Sequence, residues 1–328
     1  MGNVLGWLCL SALALVLLFI AAPPLRAVRV RYTWRTNNWP LAYLLARLGW
    51  GRSVRYLARQ LEMDPEELRR HEPRYQRAHV AKRSGGTRLL SIPDAKTKKL
   101  QRRLLRRVLA RLAAHPAACG FERGKSIVEN ALPHVGQAVV VRIDVIDFFP
   151  STRAGRIEAY FRRIGWNAEA AALLTRLVTY DGGLPQGAPT SPRLSNLVNY
   201  YLDVQLTRLA RRYQANYTRY ADDITLSMPR DYPRRVRGIV QLARRLLLRH
   251  GYEIHRHKKL TARRRHQRQM VTGLVVNDGV NLPRTTRRRL RAARHHVATR
   301  RRATLTEVQL EGWAALENMV RTRAAQNQ

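Results

Sequence analysis

Residues 216–228 read NYTRYADDITLSM. Two short runs suited to β-strands, Asn216–Tyr220 and Ile224–Met228, flank Ala221-Asp222-Asp223. The spacing predicts a tight antiparallel hairpin with two carboxylates at its connection. Adjacent carboxylates at a turn repel each other unless a cation sits between them. A second acidic stretch reads RIDVIDFFPS over 142–151. Here the β-branched run Val139–Ile143 predicts a buried strand that stops at Asp144, with Asp147 just beyond. Two strand ends lying side by side would bring Asp144, Asp222 and Asp223 onto a pair of Mg²⁺ ions. That is the two-metal arrangement for in-line phosphoryl or nucleotidyl transfer. By spacing alone, a solvated Asp-Asp turn is the simpler reading.

These acids stand in an unusually basic chain. The 328 residues hold 61 Lys+Arg and 22 Asp+Glu, a formal net charge of +39. Such a field repels cationic ligands and collects polyanions, nucleic acid first and anionic membrane second. All but seven of the basic residues are Arg. Its planar fork suits phosphate and bases, although a GC-rich genome gives the same bias. With 45% hydrophobic and 25% charged residues, the chain is not a disordered basic tail. Cys9 and Cys119 alone exclude a disulfide scaffold and a four-cysteine zinc site.

Outward from the acids, Gly182–Pro192 is a Gly/Pro-rich loop before a helix over about 193–213. A further helix over 234–250 leads to a predicted strand Tyr252–His255, and Met270–Val276 predicts another. Upstream, residues 38–80 read as short helices, Arg88–Pro93 as a strand, and 97–114 as a long basic helix. Residues 284–302 hold nine Arg and no acid, which favours a phosphate partner over a self-repelling solvated helix. Val4–Ala22 is 19 residues without a charge, about 28 Å as a helix, followed by Arg26, Arg29, Arg31 and Arg35. It predicts a transmembrane helix with the N-terminus outside and the remainder cytoplasmic. A cleaved signal peptide at Ala21-Ala22-Pro23 and an over-extended gene start are the alternatives.

The motifs together resemble a reverse transcriptase, and more narrowly the bacterial retron type. Tyr220-Ala221-Asp222-Asp223 resembles the family's YADD box, Arg142–Ser151 its first catalytic box, and Leu184–Pro192 (LPQGAPTSP) its substrate loop. Lys82–Pro93 (KRSGGTRLLSIP) and Leu100-Gln101-Arg102 resemble its fingers. Asn130-Ala131-Leu132-Pro133-His134 fits the NAxxH box of retron enzymes, and Val271-Thr272-Gly273 their VTG box. The resemblance runs from about residue 53 onward. It departs at 251–259, where His255 and Lys259 replace the family's Asn and Thr, though Lys258 still aligns as the acid for leaving pyrophosphate.

The resemblance implies an α+β right-hand polymerase with fingers, antiparallel palm and short helical thumb, and the apolar run at residues 4–22 adds an N-terminal transmembrane helix ahead of it. The expected divisions are 1–25 membrane anchor, 26–80 helical region, 81–276 fingers and palm, and 277–328 Arg-rich thumb. It implies RNA-directed DNA synthesis with two Mg²⁺ ions held by Asp144, Asp222 and Asp223. Arg88, Asp147, Phe149, Gln186 and Gly187 are expected at the nucleotide, with Phe149 as a gate against a ribose 2′-OH. Asn130, His134, Val271, Thr272, Gly273, Arg287, Arg288, Arg291 and Arg294 are expected to bind RNA. The implied partners are dNTPs, an RNA–DNA duplex and a structured noncoding RNA that is both template and primer for branched RNA–DNA. An antiphage role, with an effector protein at a membrane, completes the expectation. The rivals are an abortive-infection-type polymerase making untemplated DNA and a membrane-tethered RNA-binding regulator with a vestigial site.

Overall fold

Strand β3 (Val139–Asp144) is apolar on both faces because two cores meet on it. Val139, Val141 and Ile143 enter one core, and Val140, one residue out of phase, enters another. β3 lies in a four-stranded antiparallel sheet of order β4-β5-β3-β6, with β4 Asn216–Tyr220, β5 Asp223–Met228 and β6 Thr261–Arg264. The computed structural model describes residues 51–81, 85–254, 260–299 and 305–325. Contacts divide the chain into Met1–Trp34 and Arg35–Gln328, and every described residue falls in the second unit.

On one face of the sheet, helices Tyr200–Arg212 and Pro233–Arg249 bury Leu202, Leu206 and Ala210, and Ile239, Ala243 and Leu247. The fourfold spacing puts each set on one helical stripe. On the other face lie the short helix Ile127–Ala131, the two-residue strands β7 (Met270–Val271) and β8 (Leu274–Val275), and two C-terminal helices. Those helices are Arg284–Ala298 and Glu307–Ala325. Their core includes Val276 and Val280, on either side of the expected palm–thumb boundary.

In chain order we label the helices α1 (Val54–Leu61), α2 (Pro65–Arg70), α3 (Ala95–Arg107), α4 (Ile127–Ala131) and α5 (Phe148–Ser151). Next come α6 (Ala154–Arg163), α7 (Ala168–Val178), α8 (Ser191–Val198), α9 (Tyr200–Arg212) and α10 (Pro233–Arg249). The last are α11 (Arg284–Ala298) and α12 (Glu307–Ala325). A third core joins α1, α3, α6, α7 and α8 around Leu57, Leu104, Phe161 and Trp166. In front of it stands an antiparallel hairpin of β1 (Tyr75–Ala81) and β2 (Thr87–Pro93), paired from Tyr75↔Pro93 to Ala81↔Thr87.

Several local expectations shift. Residues 75–81, read within a helical region, form β1, because the polar, largely exposed stretch gains its backbone partners from β2. The helix expected over 97–114 starts at Ala95, where the Asp94 carboxylate caps Thr97 N at 2.9 Å, and yields at Val108 to a 3₁₀ turn. Its basic face is partly spent inside the protein. Arg103 donates to the carbonyls of Leu61 and Glu62, and Arg107 to Gln60, closing the end of α1. Lys99, Arg102 and Arg106 remain exposed. The strand expected over 270–276 is split by Thr272 and Gly273, both at positive φ, into β7 and β8.

Among the described residues no helix is long and apolar enough to cross a membrane. The transmembrane expectation for residues 4–22 lies outside the described residues, as does Lys258.

Candidate active site

The register between β3 and β5 builds the site. Val139 pairs with Met228 and the alignment runs without a bulge to Asp144 opposite Asp223. The β4–β5 hairpin pairs Tyr220 with Asp223, leaving Ala221 and Asp222 as a two-residue turn. Ala221 takes the left-handed conformation, φ 56°, that such a turn demands. Val145 N donates to the Asp222 carbonyl at 3.1 Å, stitching the turn to the end of β3. Asp144 and Asp222 therefore open onto one cleft of about 550 Å³.

Asp223 behaves differently. Its carboxylate receives both Nε and Nη2 of Arg142 from the neighbouring strand and is 17% exposed. Asp144 and Asp222 supply the oxygen donors that hard divalent cations take, in a setting open to water and substrate oxygens. The residues present thus fit a divalent cation. Among the described residues, however, no three His, Cys, Asp or Glu side chains gather into a metal-binding cluster. Of the three expected carboxylates, Asp144 and Asp222 line the cleft, and Asp223 pairs with Arg142 beside them.

The first catalytic box turns sharply after β3. Asp147, at φ 42°, lines the cleft and begins α5. Phe148 is buried and stacks on Tyr252 with ring centroids 5.4 Å apart. Phe149 faces the cleft beside it. From the hairpin, Arg88 reaches the same cleft, and Gln186 does so from the loop before α8. Loop and hairpin are joined by a hydrogen bond from Ser91 N to the Gln186 carbonyl at 2.7 Å. Gly187, expected at the nucleotide, is the next residue of this loop. At φ 123° it lies against β2, where a Cβ would come within 3.1 Å of the Ser91 carbonyl. Gly183 is tighter still, since a Cβ there would fall 2.2 Å from the Pro150 carbonyl.

Sequence reasoning missed the segment just before α4. Residues 117–119 run beside β4, with Cys119 N donating to the Arg219 carbonyl and Arg219 N to the Ala117 carbonyl, both at 2.8 Å. Gly120 then backs onto the turn, and a Cβ there would sit 2.9 Å from Ala221 N. Phe121 follows at φ 62° with its ring at the cleft. A bulky residue in that conformation costs on the order of 1–3 kcal/mol, held only by its surroundings. Cys-Gly-Phe carries no motif by itself, so composition gave no signal.

Beneath the turn, Arg219 and Asp203 form an ion pair with both side chains fully buried. Arg219 also donates to Asn196 Oδ1 at 3.1 Å and to the Ala221 carbonyl at 3.2 Å, and it lies over the Phe148 ring. Burial pulls its pKa down, but the Asp203 charge and hydrogen bonds outweigh it and leave the pKa raised. Tyr217 donates to the same Asp203 at 2.6 Å, and burial pushes that phenol well up. Removing one member of such a pair typically costs about 3–5 kcal/mol, so this network fixes the backbone of the turn.

The NAxxH and VTG boxes meet each other rather than solvent. Asn130 and His134 are each 0% exposed, and Val271 is buried. His134 Nδ1 lies 2.7 Å from Ser227 Oγ on β5, and Nε2 lies 2.8 Å from Thr218 Oγ1 on β4. Asn130 Nδ2 donates to Thr272 Oγ1, which itself donates to the Ile127 carbonyl. The expected RNA contact by Asn130, His134 and Val271 is therefore corrected, because these side chains hold α4 and β7 to the back of the sheet. Gly273 is exposed and Thr272 partly so. Arg287, Arg288 and Arg291 are exposed on α11, while Arg294 pairs with Glu317 of α12. The His250 ring hydrogen-bonds to Gln205, and His255 and His257 lie outside the described residues.

An antiparallel palm carrying carboxylates at a hairpin turn, under a fingers hairpin, defines a nucleotide-polymerising class of protein. The reverse transcriptase (RNA-dependent DNA polymerase) family matches residues 80–274. Retron Mx65 reverse transcriptase of Myxococcus xanthus is 37% identical over 311 residues, 89% of this chain and 70% of that protein. Retron Mx162 reverse transcriptase of the same organism is 37% identical over 249 residues, 66% of this chain and 51% of that protein. Retron Ec86 reverse transcriptase of Escherichia coli is 35% identical over 243 residues, 73% of this chain and 74% of that protein. A solved telomerase structure from Candida albicans, with a fragment of telomeric RNA, matches at TM-score 0.47 and 10% identity, over 70% of this chain and 49% of that one. The chain belongs to the reverse transcriptases, the RNA-directed DNA polymerases, and within them to the retron type.

Proposed function

We propose that the chain copies a structured noncoding RNA into DNA, with that RNA serving as both template and primer. The observation that carries this reading is the β3–β5 register, which puts Asp144 and Asp222 on one cleft with Arg88 and Gln186. Asp144 and Asp222 would hold the divalent cations, two Mg²⁺ ions in this reading, with Asp223 a third carboxylate steadied by Arg142. Bound there, the ions supply an activated attacking hydroxyl and charge neutralisation at the leaving pyrophosphate.

The chain's own residues do the rest. Arg88 binds the incoming triphosphate by charge-assisted hydrogen bonds. Asp147 and Gln186 line the cleft, and in this reading Asp147 lies by the triphosphate and Gln186 meets the sugar or base. The Phe149 ring closes the space beside C2′, so a ribose 2′-OH is excluded. Arg287, Arg288 and Arg291 grip phosphates of the RNA–DNA duplex. Synthesis begins at a guanosine 2′-OH and leaves branched RNA–DNA, and the system acts in antiphage defence. Residues 4–22 anchor the chain at the inner membrane, N-terminus outside, where an effector protein is met.

The test uses the purified full chain with its neighbouring noncoding RNA, dNTPs and Mg²⁺. Labelled DNA should form, and Asp222→Ala should reduce it by at least about a thousandfold. Undiminished synthesis by that variant would remove the site assignment.

A further inference from the structure

The cleft has an aromatic wall that the roles above leave unused. Phe121 is 47% exposed and lines the cleft. Its ring lies between Tyr220 of the hairpin, at a centroid distance of 6.0 Å, and Phe149, at 6.4 Å. A ring wanted only for packing would be buried, and a residue wanted only for a turn would be Gly or Asn at this φ of 62°.

The backbone on either side is nonetheless firmly held. Asn196 Nδ2 donates to the Gly120 carbonyl at 2.6 Å and to Glu122 Oε1 at 2.8 Å. Arg193 binds the other oxygen of Glu122. Gly120 fits against Ala221 N with no room for a Cβ. The strained conformation is thus imposed by α8 and the hairpin turn together, and its product is an aromatic face presented to the cleft.

We propose that Phe121 stacks on the sugar–base face of the primer-terminal nucleotide, making it a positioning contact for the strand being extended. The inference rests on the polymerase reading of the cleft. Phe149 and Arg88 take the incoming nucleotide there. Phe121 adjoins Phe149 on one side and the carboxylate-bearing hairpin on the other, so it occupies the next place along the strand. Stacking on an aromatic face is tolerant of base identity, as a polymerase requires.

Two measurements on the full chain test this. The first is binding of a fluorescent RNA–DNA primer–template, and the second is single-nucleotide incorporation on it. Phe121→Leu should weaken primer–template binding about tenfold and leave the KM for dNTP within about twofold, while Phe121→Tyr and Phe121→Trp restore binding. Its thermal midpoint should stay near that of the parent chain, because the ring is half exposed. Unchanged binding by Phe121→Leu, or a rise confined to the dNTP KM, overturns the proposal. Phe121-dependent binding without incorporation by the parent chain would instead strike the polymerase reading and leave this contact standing.

Discussion

His134 shows how a single residue can mislead on sequence and inform on structure. In the motif it invites a nucleic-acid role, yet both ring nitrogens are spent on Ser227 and Thr218 and the ring is fully buried. Burial lowers its pKa from 6.5 to about 3. The ring is therefore neutral in the fold, while the unfolded chain takes up a proton below 6.5. Its contribution is fully present above pH 6.5 and is lost as pH falls toward about 3, at up to about 1.4 kcal/mol per pH unit. In urea unfolding, the stability gap between the parent chain and His134→Gln should be widest at pH 7.5 and shrink by roughly 2 kcal/mol at pH 5. A gap independent of pH would contradict a buried neutral ring. The acids at 144, 222 and 223 were legible because a strand ending in Asp and a hairpin holding Asp-Asp are local patterns. The burial of Asn130 and His134 was not, because their partners stand 84 to 142 residues away in sequence.

At the scale of elements, β3, β4 and β5 could be read in the sequence, as could helix over 193–213 and 234–250, where α8, α9 and α10 stand. β1 and β6 could not. Their sequences YQRAHVA and TARR are polar and become strands through pairing with β2 and β3. The substrate loop was recognisable as a motif, but its seat was not. Gly183 meets the Pro150 carbonyl where α5 ends, so the loop and the first catalytic box close on each other without a side chain between them. Gly183→Ala must move one of the two, and strain of this kind typically costs about 1–3 kcal/mol. The expected result is a thermal midpoint lowered by several degrees together with a lower kcat. A variant with parental kcat and midpoint would mean that the loop yields freely.

Across the whole molecule, the +39 charge resolves into unequal shares. Arg103 and Arg107 cap a helix, Arg142, Arg193 and Arg219 hold acids, and Arg294 pairs with Glu317. Arg287, Arg288 and Arg291 stand exposed on α11. Replacing these three with Gln should reduce the slope of log K against log salt for duplex binding by about 2–3, read from titrations between 50 and 200 mM salt. An unchanged slope would place the duplex elsewhere. Net charge alone pointed to a polyanion, but only the fold separates arginines consumed as internal fastenings from those left for a partner.

Strand β3 has a last consequence, for the way the molecule comes apart. Its odd-numbered valines belong to the core under α9 and α10, and Val140 belongs to the core under α11 and α12. Both cores are anchored on β3, so an opening that releases this strand exposes both together. In hydrogen exchange, the amides of residues 139–143 should then mark the global limit of protection, and an opening deep enough to free the α11–α12 base would dismantle the carboxylate cleft in the same event.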